Sequence, residues 1–597
     1  MASEVTPTSQ QQDVWLPLLQ SRLDMWRGVA SNDDPQDHLR TIDAELGFLE
    51  NALSFGKRTR NGMMPACNLP AEVLSHIFAL ARDVWARKHA EGERTYDIGW
   101  ICVTHVCSFW RNVALGTPSL WTTIDNCFAI PPGLVPLVQE RSSSQPLSLT
   151  FDRPTSWGLN DRDIPASMDI WMTETFCSRL RSLKLLNISP EQFEIAWPHF
   201  TKFMGHLTHL TLSMDDEGGH NAIIPLPDDI CFLIQSSSLH ELCLEDCLPF
   251  WNPFPFCGTL TSLELIRYFA VNGDFRPTFE HLATVLTSLL SLQQLKLRDI
   301  IPEDVPGHCT HPIVLPLGFK SMSYVVQDDV SIGLPFLTHL ALPPSSASFI
   351  HFSDHSSYLS DEAEVLVTAM PIFYRVGGAD VQPVELIVDG DQILIGRCER
   401  ERRRTWTASI PPSTAYDALY SASPPPGETR VRIYSRSRSS NGRPGPQLLL
   451  GHHIIAAPLR SLRAIALSWR SMKDMAANDS FTGLDIARGV RRLGMDLPGS
   501  GVLSNELRTM LRESYCVFPS LEIIHVHIGH HNEDSPYCLT EDWETVCMED
   551  AMELADLVKD RKEGGAPLQE IVIEKDMANW AVWDVLRRDV QVTLLDF

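Results

Sequence analysis

Residues 69–124 read LPAEVLSHIFALARDVWARKHAEGERTYDIGWICVTHVCSFWRNVALGTPSLWTTI, two helical patterns with a polar stretch between them. Pro70 suits a first helical position, where its missing N–H forfeits no hydrogen bond. Glu72 falls in the first turn, where a negative charge complements the helix dipole. Val73, Leu74, Ile77, Phe78 and Ala81 recur at the 3,4 spacing of a helix face. Val103, Val106, Trp110 and Val113–Ala114 resume helical spacing, with Ser108 placed to cap a short helix that ends near Gly116. Pro118 blocks continuation, and Leu120 and Trp121 add bulk. The polar stretch 83–99 reads as an extension of the first helix or as a loop. A segment of roughly fifty-five residues is marginal for a core of its own, so part of this apolar surface is expected to await a partner.

The order Leu-Pro-x-Glu-x-Leu-x-x-Ile-Phe (69–78), Val-Cys-x-x-Trp-Arg (106–111) and Pro-x-Leu-Trp (118–121) resembles an F-box. That small helical module docks a protein onto the Skp-type adaptor of a cullin–RING ubiquitin ligase. The resemblance implies adaptor-facing or supporting anchors at Leu69, Pro70, Val73, Leu74, Ile77, Phe78, Val106, Trp110 and Trp121. It departs from the family at Ser108–Phe109, where a basic residue is common. The chain also resembles the F-box families of mushroom-forming fungi, which carry a helix just before the Leu-Pro pair. The implied function is that of a non-catalytic substrate receptor.

Working outward, residues 1–36 form a polar arm with either a short helix around Trp15–Trp26 or partial disorder. Over 37–65, Leu39, Ile42, Leu46, Leu49 and Leu53 step by 3 and 4 along an amphipathic helix. Two heptads are short for a coiled coil, and packing against residues 66–125 is the expected fate of this seam.

Beyond these, 126–597 carries an apolar-x-x-apolar-x-apolar template. It occurs at Leu180-Leu183-Leu185, Leu207-Leu210-Leu212, Leu239-Leu242-Leu244, Leu260-Leu263-Leu265, Leu292-Leu295-Leu297 and Phe319-Met322-Tyr324. It returns at Leu337-Leu340-Leu342, Val381-Val384-Leu386, Leu462-Ile465-Leu467, Leu521-Ile524-Val526 and Leu568-Ile571-Ile573. The last two positions of each triplet share a strand face. Ser189-Pro190-Glu191-Gln192 reads as a helix start, and Phe279, Leu282, Val285, Leu286 and Leu289 line a helix before the fifth strand. The expected class is therefore mixed α and β: a helical module, then an irregular leucine-rich-repeat solenoid of one strand and one helix per repeat. Regularity fails over about 345–455, which reads as a loop-rich insertion with strands at 385–388, 393–395, 404–409 and 430–434 forming a hairpin pair on the rim.

In such a solenoid the outward strand residues form an extended recognition surface. Here they are Lys184, His209, Glu241, Glu245, Glu264, Lys296, Arg298, His339 and His525, with Thr211, Glu570 and Glu574 in the same row. Their mixed signs favour a protein target. The net charge of −26 over 597 residues argues against general nucleic-acid binding, which needs a basic surface, although the Arg-rich 430–443 keeps an RNA-associated reading open. The 14 cysteines include no CxxC pair, as in a reducing interior, and neither a secretory signal nor a membrane span is evident. His525, His527, His530, His531 and Cys538 group as metal ligands would, but His525 and His527 read more simply as exposed positions of one repeat. No catalytic motif, metal site or cofactor is expected. A ligase-independent interaction scaffold is the rival function.

Overall fold

A computed structural model describes residues 9–28, 35–85, 99–128, 130–152, 168–189, 192–194, 206–214, 224–226, 234, 238–248, 251, 256–267, 276–306, 312–327, 330–354, 384–389, 392–396, 428–435, 459–468, 487–497, 518–528 and 543–594. The chain divides into two units, Met1–Gln145 and Pro146–Phe597.

The first unit is helical: α1 (Ser9–Gly28), α2 (Pro35–Gly62), α3 (Ala71–Val84), α4 (Ser108–Gly116) and α5 (Val135–Arg141), with tight 3-10 turns at Pro65–Cys67, Gly99–His105 and Pro118–Trp121. The helix after the Leu-Pro pair starts one residue later than its sequence suggests, because Pro70 is extended and acts as the N-cap. Cys107, not Ser108, caps α4, its sulfur accepting the Trp110 N–H at 3.4 Å. The stretch 86–98 lies outside the described residues.

α1 meets α2 through Glu45, which accepts Trp26 Nε1 at 2.8 Å and lies 3.3 Å from an Arg22 nitrogen. The seam expected to pack on the following module does not do so. Leu39, Leu46, Leu49 and Leu53 stay exposed on the 28-residue α2, and Ile42 is half-buried.

The second unit holds a long, mostly parallel sheet. Its strands are β1 (Leu147–Asp152), β2 (Leu180–Ile188), β3 (His209–Met214), β4 (Glu241–Glu245), β5 (Ser262–Ile266), β6 (Gln294–Arg298), β7 (Ser321–Val326), β8 (Ala347–Asp354), β9 (Glu385–Asp389), β10 (Gln392–Gly396), β11 (Glu428–Ser435), β12 (Ala464–Leu467), β13 (Arg492–Leu497), β14 (Ile523–Ile528), β15 (Glu570–Ile573) and β16 (Gln591–Leu594). From β1 to β8 each strand pairs in parallel with the next. The same holds from β12 to β16. Described helices follow or precede strands: α6 (Glu174–Cys177), α7 (Phe279–Ser288), α8 (Val330–Thr338), α9 (Trp543–Glu563) and α10 (Val582–Leu586). The fold is solenoid-like, a strand per repeat, as the triplets imply.

The first residue of a triplet enters the core from the turn, and Leu180, Leu207, Leu239, Leu260 and Leu292 are fully buried. The expected helix start at Ser189 forms a reciprocal cap: Gln192 N–H donates to Ser189 Oγ at 3.4 Å and Ser189 N–H to Gln192 Oε1 at 3.2 Å. Thr278 caps α7 by accepting the His281 N–H at 3.2 Å.

Two expectations fail. The insertion is no rim hairpin: β8 pairs β11 in parallel, β11 pairs β10 and β10 pairs β9 antiparallel, and β9 pairs β12 in parallel. Its strands therefore join the two parallel runs inside the sheet. The strand expected at 404–409 lies outside the described residues. The triplet Leu337-Leu340-Leu342 belongs to the end of α8 and a two-residue strand, Leu340–Ala341, paired with Ile313–Val314 in a separate small sheet. The strand that continues the main sheet is β8.

Asn187, Asp246 and Asp299 adopt left-handed backbone, φ 56, 54 and 52. Each lies two residues past the last core leucine of its strand: Asp246 and Asp299 just beyond the ends of β4 and β6, Asn187 at an irregularity of β2 between Leu185 and Ile188. Asn and Asp tolerate this conformation better than other side-chain-bearing residues. The Asp299 carboxylate also accepts the Gln327 N–H at 2.6 Å. Asp299→Val is expected to destabilise the second unit by roughly 1–2 kcal/mol of backbone strain plus about 1–3 kcal/mol for the stranded N–H. Asp299→Asn should cost much less, and urea unfolding of both variants measures the difference.

Candidate functional site

α3 carries two apolar stripes one residue apart. Leu74 and Phe78 are buried, 0% and 1% exposed, with Ala81 half-buried one turn on. Phe78 packs on Trp110 with ring centroids 5.3 Å apart. Beside this stripe, Val73, Ile77, Leu80 and Val84 follow the spacing 4, 3, 4, and all four are exposed, from 41% at Ile77 to 77% at Val84. Such a line of β-branched and leucine side chains has the geometry of a helix seam awaiting its counterpart. Met63, Met64, Trp85, Val106 and Phe109 are exposed apolar residues of the same unit.

The core beneath is held by aromatic anchors. Trp121 is 3% exposed, donates Nε1–H to Ala114 O at 2.9 Å and meets Trp100 edge-on at 5.2 Å. Trp110 is half-buried and donates Nε1–H to Ala66 O at 3.3 Å. Arg82 reaches Ser119 O at 3.0 Å, and Arg111 donates to Thr104 O at 2.8 Å.

The residues implied as anchors thus separate into two groups. Pro70, Val73, Ile77 and Val106 are exposed and Leu69 is half-buried, so these can be touched. Leu74, Phe78 and Trp121 are interior, and Trp110 bridges the two groups. Leu80 and Val84 are missing from the sequence-based set. Their signal was the continuation of the Val73–Ile77 spacing for another two turns.

Residues 66–127 match the F-box-like family model. The chain therefore carries an F-box-like domain there; F-box domains generally bind Skp-type adaptors. No curated protein matches the chain. Among solved structures, the leucine-rich repeat-containing protein LegL7 from Legionella pneumophila is similar at 11% identity and a TM-score of 0.27, over 68% of this chain and 89% of that one.

On the second unit, parallel register sets Lys184, Thr211, Cys243, Glu264 and Lys296 side by side on successive strands. Lys184 is exposed, Glu264 and Lys296 are half-buried, and Lys296 Nζ lies 3.3 Å from Glu264. One row below, His209 pairs with exposed Glu241 at 3.4 Å. Glu245 is half-buried at the end of β4. These six form an accessible row of mixed charge.

Four residues of the expected row, Arg298, His339, His525 and Glu574, are not accessible. Arg298 is buried with its register neighbours Ile266 and Val325 and with His351 on the next strand, in a covered belt at the C-terminal end of the strands. His339 is not on the main sheet; its Nε2 bonds Pro306 O at 2.9 Å and its ring meets Phe279 at 4.8 Å. His525 is 2% exposed, and His527 beside it is also buried and pairs with Glu574 at 2.9 Å. Both histidines share a strand face, as the sequence indicated, but that face is interior. His525 lies between Gly494, with Ala466 beyond it, and Val572. Across Ala464, Arg492 reaches Glu385 at 2.6 Å. Of the possible metal ligands at 525–538, His530, His531 and Cys538 lie outside the described residues, and among the described residues no group of three or more potential ligands forms. No described helix is long and apolar enough to cross a membrane.

Burial, with Arg492 and His527 alongside, pushes His525 down from its usual 6.5 to about 3. Folded protein keeps this imidazole neutral while unfolded chain takes up a proton, so its contribution is intact above pH 6.5 and is lost as pH falls towards 3. Acid titration of unfolding is expected to show a slope that His525→Leu flattens. In the first unit, Trp121→Ala should cost about 3–5 kcal/mol as a core truncation, seen as loss of the cooperative helical transition in circular dichroism.

Proposed function

We propose that this chain is the substrate-recognition subunit of a Skp–cullin–F-box ubiquitin ligase, its F-box-like domain binding the Skp-type adaptor and its solenoid-like unit holding a protein target. One observation carries the reading: α3 satisfies its own core with Leu74 and Phe78 and still displays Val73, Ile77, Leu80 and Val84. A contiguous exposed apolar stripe marks an interaction surface. The family match over 66–127 says which class of partner such a stripe takes.

The mechanism is proximity. The receptor performs no chemistry and contributes no catalytic residue; it raises the target's effective concentration beside the ubiquitin-loaded enzyme. The accessible row Lys184, His209, Glu241, Glu245, Glu264 and Lys296 supports a protein target, since it presents both signs within a few strands. The net charge of −26 speaks against a polyanion. The scattered cysteines, without a CxxC pair, support an intracellular setting, in cytoplasm or nucleus, and the helix preceding the Leu-Pro pair supports kinship with basidiomycete F-box proteins.

Ile77 and Leu80 are exposed, so Ile77→Asp with Leu80→Asp should leave the circular dichroism unchanged. Capture of a Skp-type adaptor should weaken by ~2–4 kcal/mol, the range of an interfacial hot spot. Undiminished capture by a folded variant would overturn the assignment. Wild-type protein that purifies with adaptor but never with cullin would instead identify a ligase-independent scaffold.

A further inference from the structure

Two thiols distant in sequence meet inside the helical unit. Cys67 closes the turn Pro65–Cys67 ahead of α3, and Cys107 is the N-cap of α4; both are half-buried. Their sulfurs are 3.9 Å apart although forty residues separate them. A disulfide needs about 2.05 Å between sulfurs, so closing one asks the pair to approach by about 2 Å. The backbone is already positioned by a bond that involves neither thiol, Trp110 Nε1–H to Ala66 O at 3.3 Å. The Trp110 N–H points at the Cys107 sulfur from the first turn of α4, where it can meet the charge of an attacking thiolate. Burial and the adjacent thiol push the Cys67 pKa up, so Cys67 is held protonated and does not make the first attack.

We propose that Cys67 and Cys107 form a peroxide-responsive dithiol that closes to an intramolecular disulfide and staples the turn before α3 to the first turn of α4. The Cys107 thiolate attacks hydrogen peroxide. The S–O bond forms, the O–O bond breaks, and the leaving hydroxide takes the thiol proton as water. The Cys67 sulfur then attacks the Cys107 sulfenic sulfur. The S–S bond forms, the S–O bond breaks, and a second water leaves with the Cys67 proton. Two thiols lose two electrons, and one peroxide is reduced to two waters. The closed loop contains all of α3 and the turn Gly99–His105, so the cross-link restricts the unfolded ensemble and stabilises this unit.

The test treats the full chain with hydrogen peroxide, alkylates the remaining thiols and maps peptides without reductant. A peptide linking 67 to 107, lighter by two hydrogens and split by dithiothreitol, is expected. Cys67→Ser should trap Cys107 as a dimedone-reactive sulfenic acid, a signal that mere packing of two thiols does not give. Amide exchange over 65–70 and 107–111 should slow in the oxidised wild type. Exposed Cys102 is the internal control for unselective oxidation. If Cys67 and Cys107 stay alkylatable after Cys102 has oxidised, or if cross-links choose Cys102, the dithiol is overturned. A 67–107 link that leaves amide exchange unchanged overturns the staple. No adaptor is present, so none of these outcomes bears on the ligase reading.

Discussion

Parallel register is the constraint on which the second unit depends. Leu149, Leu183, Leu210, Leu242, Leu263, Leu295 and Met322 are successive partners across β1 to β7, and Phe151, Leu185, Leu212, Leu244, Leu265, Leu297, Tyr324 and Ile350 run beside them to β8. A one-residue slip at any joint would turn every later leucine outward. The same alignment returns as Ile465, Leu493, Ile524 and Ile571 in the second run. The charged row exists only because this apolar ladder holds: Lys184, Glu264 and Lys296 share one face because the leucines beside them stay in register.

The repeats were legible because each strand states its two faces in the triplet, and the turn residue before it adds a third fixed point. The middle of the unit was opaque for the opposite reason. In β8, ASFIHFSD offers no leucine triplet, and it buries Ser348 and His351 together with Phe349 and Phe352. A strand interior on both faces loses its alternation. The second run has the same character. Ala464–Leu467 is buried at every position, and its small residues, rather than any charge pattern, were the sign that His525 would lie inside. His339 misled because Leu337-Leu340-Leu342 satisfies the triplet while spanning a helix end.

In the helical unit the apolar positions were legible, but their division was not. Val73 beside Leu74 and Ile77 beside Phe78 read as one broad face, whereas the folded helix turns one member of each pair inward and leaves the other bare. Trp121 belonged to the motif for a structural reason: its indole ties off the end of α4. An adaptor-facing residue and a residue that shapes the adaptor-facing surface look alike in sequence, and only burial separates them.

The crossing in the sheet has a consequence for how the chain assembles. Within each parallel run, a strand joins one that was made just before it, so the run can zip from neighbour to neighbour at low entropic cost. At the joint, β8 must wait for β11, with β9 and β10 already passed in sequence and laid down in reverse. The most distant pairing therefore sits in the middle of the sheet rather than at an end. During synthesis the first run can be complete, with the far edge of β8 still open, until the strand that seals it emerges.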